Sequence, residues 1–123
     1  MKMTIESVAR AFSSHRFEDA LPHLDDDVVW ELVGSEDLTG KQAVADVCES
    51  LAEDLKGVQT TFENFRTIVT GDCAVVDSVA RYLSSGSSLS RVASCDIYDF
   101  VDGRLVRIRS YNVELEPLPL LPH

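Results

Sequence analysis

The chain has 123 residues, 45% of them hydrophobic, which suits one domain with a core of its own. Its 21 acidic residues against 11 Lys and Arg give a formal net charge of -10, which repels phosphate backbones and anionic lipid surfaces and argues against nucleic acid or a membrane as partner. No apolar run approaches the ~20 residues of a membrane span, and the start, Met1 to Glu6, lacks the apolar stretch of a secretory signal, so a cytoplasmic protein is expected.

Ile5, Val8, Ala9 and Phe12 follow the spacing of one helix face, and Phe17, Ala20, Leu21 and Leu24 repeat it after a break at Ser13-Ser14-His15. Pro22 falls inside the second pattern and shortens or distorts that helix. Asp25-Asp26-Asp27 reads as a solvated turn held by Asp side chains bonding to the backbone. Val28 to Val33 is a strand by its β-branched and aromatic content, ended by Gly34. Thr39-Gly40-Lys41-Gln42 has the form of a capping box, and the third helix behind it carries Val44, Val47, Cys48, Leu51 and Leu55 on one face. Gly57 is placed to end it.

From Gln59 onward the signals are those of strands and hairpins. Strands are expected over Thr60–Thr70, Cys73–Leu83, Leu89–Val101 and Leu105–Glu114. They are joined by a turn at Thr70-Gly71-Asp72, a flexible loop over Ser84–Ser88 and a two-residue hairpin at Asp102-Gly103. Phe62 and Phe65 break the alternation of their strand, which predicts a bulge. Residues 1–115 form the domain, and 116–123, with Pro117, Pro119 and Pro122, form an extended tail. The order of elements predicts an α+β fold, with three N-terminal helices packed on a curved, mainly antiparallel sheet.

Cys48, Cys73 and Cys95 are odd in number and far apart, and read as buried, reduced thiols rather than disulfides or zinc ligands. His15, His23 and His123 have no metal-like spacing. No Gly-rich phosphate loop and no nucleophile motif is present. Neither cofactor nor metal is expected.

Three segments carry a resemblance: Phe17 to Trp30, Leu38 to Val44, and Tyr98 to Tyr111. In order and residues the chain resembles the nuclear transport factor 2-like superfamily and, within it, the SnoaL-like proteins. The resemblance covers nearly the whole chain. It implies a cone-shaped α+β barrel enclosing a ligand pocket, in a family that includes ketosteroid isomerases, limonene-type epoxide hydrolases, polyketide cyclases and non-enzymatic domains. A shared fold does not transmit chemistry, so the residues must decide.

Strand alternation assigns the faces. Trp30 and Leu32 point inward with Glu31 outward; Val76, Ser78, Ala80 and Tyr82 form one set, as do Ser94, Asp96, Tyr98 and Phe100, and Ile108, Ser110 and Asn112. The opposite sets, with Arg81, Asp99, Arg107 and Arg109, belong outside because unpaired buried charge is costly. Asp96 is then the one carboxylate on the concave face. By resemblance it matches the isomerase acid that donates to the oxyanion, and Asp96 and Tyr98 are the candidate catalytic residues. A buried structural Asp is the competing reading. Phe12, Phe17, Leu21, Trp30, Leu32 and Val47 are candidate apolar wall, with Ser78, Ser94, Ile108, Ser110 and Asn112 completing the substrate-binding set.

Two departures stand against catalysis. The family's isomerase base matches Leu32, which cannot take a proton, and its helical tyrosine matches Val8. The epoxide hydrolase Arg and two Asp fall on Ser78, Ala80 and Ser110. If Glu31 points inward it restores a base opposite Asp96; if outward, the chain reads more readily as a non-catalytic ligand-binding or dimerisation module. A homodimer through the convex sheet face is expected, because Asp77, Val79, Arg81, Ile97, Asp99, Arg107, Arg109 and Tyr111 mix apolar and complementary charged groups there.

Overall fold

A computed structural model describes residues 4–84 and 89–116. Helix α1 (Ile5–Ser13) starts where the Thr4 hydroxyl accepts from the Ser7 amide, 3.1 Å away, and buries Val8, Ala9, Ala11 and Phe12. Helix α2 (Phe17–Ala20) is one turn long and runs into a 3-10 turn over Leu21–His23. Pro22, which lacks an amide hydrogen, accounts for that shortening.

Strand β1 (Leu24–Leu32) begins before the expected turn. Asp25 does bond the Asp27 amide at 3.0 Å, but Leu24 is already paired with Leu105, and the ladder shifts register before resuming at Val29. The acidic triple is thus an irregular stretch within a strand. A short strand β2 (Asp37–Thr39) follows, too brief for its sequence to announce it, and pairs antiparallel with β1. Thr39 therefore belongs to a ladder, opposite Val29, and the capping box expected there does not form. The N-cap of α3 (Lys41–Asp54) is Gly40, at φ 95° and ψ 150°. That backbone is open almost only to glycine, and it delivers the Gly40 amide to the Val28 carbonyl at 2.8 Å.

Strands β3 (Gln59–Thr70), β4 (Cys73–Leu83), β5 (Leu89–Val101) and β6 (Arg104–Leu115) form the meander. The register of β3 shifts between Phe62 and Asn64. Glu63 is the extra residue, so Phe62 and Phe65, three apart, both face inward and meet edge to face at 5.0 Å between ring centroids. Asp102 and Gly103, with φ of 50° and 79°, make the tight hairpin that their residue types specify. The expected loop lies mostly outside the described residues, of which Ser84 is one, as does the tail beyond Glu116.

The sheet order is β2-β1-β6-β5-β4-β3. All neighbours are antiparallel except β1 and β6, which are parallel. The fold is α+β, three helices on an open, curved, mixed sheet. Leu24, Val28, Val44, Val76, Tyr98, Leu105 and Ile108 lie fully buried between the layers. Among the described residues, no helix is long and apolar enough to cross a membrane.

Candidate functional site

The concave face and the helices enclose a cavity of about 370 Å³, at the small end of small-molecule sites. Strand alternation places its floor: Trp30 and Leu32 from β1, Ser78, Ala80 and Tyr82 from β4, Ser94 and Asp96 from β5, and Ser110 and Asn112 from β6. Phe12, Phe17, Val47 and Leu51 supply apolar wall from the helices. Phe12 anchors that wall, with edge-on contacts at 5.0 Å to Trp30, 5.3 Å to Phe17 and 5.9 Å to Tyr98.

Three residues proposed from sequence as pocket-lining or catalytic lie elsewhere. Leu21 packs against the core from the 3-10 turn. Ile108 and Tyr98 are fully buried behind the cavity surface, as members of the hydrophobic core. Tyr98 still reaches the site through its hydroxyl, 2.6 Å from Ser13 Oγ.

Asp96 is the focus of the polar groups. The Ser13 hydroxyl donates to its Oδ2 at 2.8 Å. Since that hydrogen is committed, the Ser13–Tyr98 contact runs from the tyrosine O–H to the serine oxygen. On the other side Trp30 Nε1 donates to Ser110 Oγ at 2.9 Å, and Ser110 stands directly across the ladder from Asp96. Burial pushes the Asp96 carboxyl above its ordinary range; the Ser110, Ser13 and Tyr98 hydroxyls around it favour the ionised form and only partly offset this. Burial pushes the Tyr98 hydroxyl well above its ordinary range, with the Asp96 charge adding to it.

Glu31 points away from the cavity. Its carboxylate meets Arg107 at 3.4 Å on the convex face, and Leu32 lines the cavity instead. Asp96 is therefore the only carboxylate among the described lining residues, and none of them is Lys or Arg. No cluster of three His, Cys, Asp or Glu suited to a metal occurs among the described residues.

Sequence reasoning missed Ser13, His15, Phe62 and Val92, which also line the cavity. His15 was legible only as part of a break between helices. It stands at φ 68°, and its Nε2 lies 3.0 Å from the Tyr82 hydroxyl. The signal for Phe62 was the broken alternation of β3.

Residues 5–108 match the family model for the SnoaL-like domain. The chain belongs to that family. Among solved structures, this SnoaL-like chain is similar to an NTF2-like protein of unknown function from Cytophaga hutchinsonii, with 29% identity, a TM-score of 0.76 and coverage of 87% of this chain and 94% of the other. It is also similar to a candidate polyketide cyclase from Pseudomonas putida, at 14% identity and a TM-score of 0.67, covering 89% and 92% of the two chains. A further similar structure is an LEH-like epoxide hydrolase from M. tuberculosis, at 19% identity and a TM-score of 0.65, covering 89% and 82%. At such identities these last two show the shared fold alone. No curated protein matches the sequence.

Proposed function

We propose that the SnoaL-like chain binds a small, mostly apolar molecule in this cavity and that Asp96, protonated, donates a hydrogen bond to one of its oxygens. An isomerase- or cyclase-type reaction needs such a donor where negative charge develops on oxygen, and a carboxyl kept neutral by an apolar site supplies one. The observation that carries the reading is the Asp96 cluster: one buried carboxyl, bonded by Ser13 and faced by Ser110 across the ladder, with no Lys or Arg among the described lining residues. Tyr98 acts here as a positioning residue, holding Ser13 from inside the core.

A second reading is ligand binding without turnover. It is favoured by the outward Glu31 and the inward Leu32, which leave no second carboxylate among the described lining residues to take a proton. The test is a small-molecule thermal-shift screen on the wild-type protein, followed by turnover assays of each stabilising compound on wild type and Asp96→Asn. Turnover that is lost in the variant supports catalysis. Stabilisation without turnover supports binding only, and a screen without any hit overturns both. The unpaired thiols fit a reducing, cytoplasmic setting.

A further inference from the structure

His15 sits where a side chain is costly. With Ser14 as the C-cap of α1, His15 is the next residue. Its amide bonds the Phe12 carbonyl at 3.1 Å, and the Arg16 amide bonds the Ala11 carbonyl at 2.8 Å. That pair of bonds is a Schellman motif, whose left-handed position is normally glycine or asparagine. A histidine there, at φ 68°, is strained relative to glycine, and such strain collects at functional sites. The ring is directed from this turn into the cavity, between Phe17 and Phe62 at 5.7 and 6.3 Å between centroids, and onto the Tyr82 hydroxyl.

The cavity thus has two polar ends on an apolar wall. One is Asp96 with Ser13 and Ser110. The other is His15 with Tyr82, which stands six residues along β4 from Val76, the ladder partner of Asp96. His15 and Phe62 also line an outer cleft with Leu55 and Thr60, so this second end faces the way out. In either imidazole tautomer the Tyr82 oxygen keeps a donor or an acceptor for a further partner. Burial holds the imidazole toward its neutral form; no Lys or Arg stands among the described residues lining the cavity itself, Lys56 lying on the outer cleft.

We propose that His15 and Tyr82 form a second hydrogen-bonding subsite, so that the ligand is a neutral, mostly apolar molecule carrying oxygen functions at two ends, one met by Asp96 and one by His15–Tyr82. This rests on the reading of the cavity as a small-molecule site.

The test is fluorescence titration of wild type, His15→Asn and Tyr82→Phe with three probes: 2-methylnaphthalene, 2-naphthol and 2,6-dihydroxynaphthalene. In wild type the second hydroxyl is expected to tighten Kd by up to about tenfold, the worth of one good hydrogen bond. His15→Asn should erase that gain, bringing the Kd ratio of 2-naphthol to diol within the variant to about one, and should keep the fold, since asparagine tolerates the left-handed turn. Tyr82→Phe should reduce it. Proton and nitrogen shifts of the His15 ring should move with the diol and not with the hydrocarbon. A diol gain equal in wild type and His15→Asn, or absent in wild type while the hydrocarbon binds, overturns the subsite and spares the cavity. No binding of any probe overturns the cavity reading and this one with it. Should His15→Asn fail to fold, His15→Gly replaces it; failure of both makes His15 a packing residue and ends the proposal.

Discussion

At the residue scale, Asp96 shows how one position combines a cost and a use. Burial raises its folded pKa above the unfolded value near ~3.9. Below the unfolded pKa both states are protonated and no penalty exists. As pH rises from the unfolded to the folded pKa the unfolded chain releases its proton first, and the penalty grows until it is complete above the folded pKa. Asp96→Asn keeps the shape and removes the charge. It is expected to melt higher than wild type at pH 7 and nearly level with it at pH 3, read by circular dichroism. A variant destabilised at neutral pH and unchanged at pH 3 would make Asp96 a structural carboxylate. The thiols divide in a way that their sequence positions concealed. Cys48 is buried on the inner face of α3 and its pKa is pushed up to about 12, whereas Cys73 and Cys95 are only partly buried, on the convex face, contrary to the expectation that all three are buried. Iodoacetamide at pH 8 should therefore label Cys48 last, at a rate set by opening of the fold; labelling of Cys48 as fast as Cys95 would contradict its burial.

At the scale of elements, three local devices shape the cavity. The Schellman turn after α1 aims His15, the extra residue Glu63 turns both Phe62 and Phe65 inward, and Gly40 sets the entry of α3. Only the bulge was readable in advance, because two aromatics three apart conflict with a period of two. The other two depend on backbone angles that residue identity does not announce. Gly40 is the sharpest of them. A Cβ there would find space, meeting only the Asp26 carbonyl at 4.0 Å, so the cost of Gly40→Ala is conformational rather than steric crowding. The variant is expected to lose about 1–3 kcal/mol of stability, measured by urea unfolding. A loss under ~0.5 kcal/mol would mean that the α3 entry relaxes to another backbone without consequence.

At the scale of the whole molecule, the curved sheet has one face committed to the cavity and one that is open. Across the open face runs a row of Ile68, Val75, Ile97 and Arg109, and beside it one of Arg66, Asp77, Cys95 and Tyr111. Val113 and Ile68 are 58% and 47% exposed, large apolar groups beside charged ones in the mixture that suits a self-complementary interface. A second copy of the chain is the occupant we propose for this face. Light scattering at micromolar concentration should give the mass of a dimer, and Val113→Asp should shift it toward the monomer, since two copies of the new charge would meet near a two-fold axis. A wild-type monomer under those conditions would remove the proposal.

Periodicity alone determined most of the architecture. Alternation along β4, β5 and β6 sorted Ser78, Asp96 and Ser110 from Arg81, Asp99 and Arg109, because a side chain in a strand has only two directions and charge excludes one of them. It favoured Leu32 inward and Glu31 outward without excluding the reverse, and the structure has Leu32 in the cavity and Glu31 on Arg107. What it could not carry was any relation between segments distant in the chain. The parallel pairing of β1 with β6, the capture of Thr39 by β2, and the withdrawal of Ile108 and Tyr98 into the core depend on which surfaces meet once the chain is closed. The Ser13 hydroxyl reaching Asp96 across 83 positions, and His15 reaching Tyr82 across 67, are of the same kind. A hydrogen bond forms by distance in space, and a lone Ser or His in a turn carries no pattern in the sequence that names its partner.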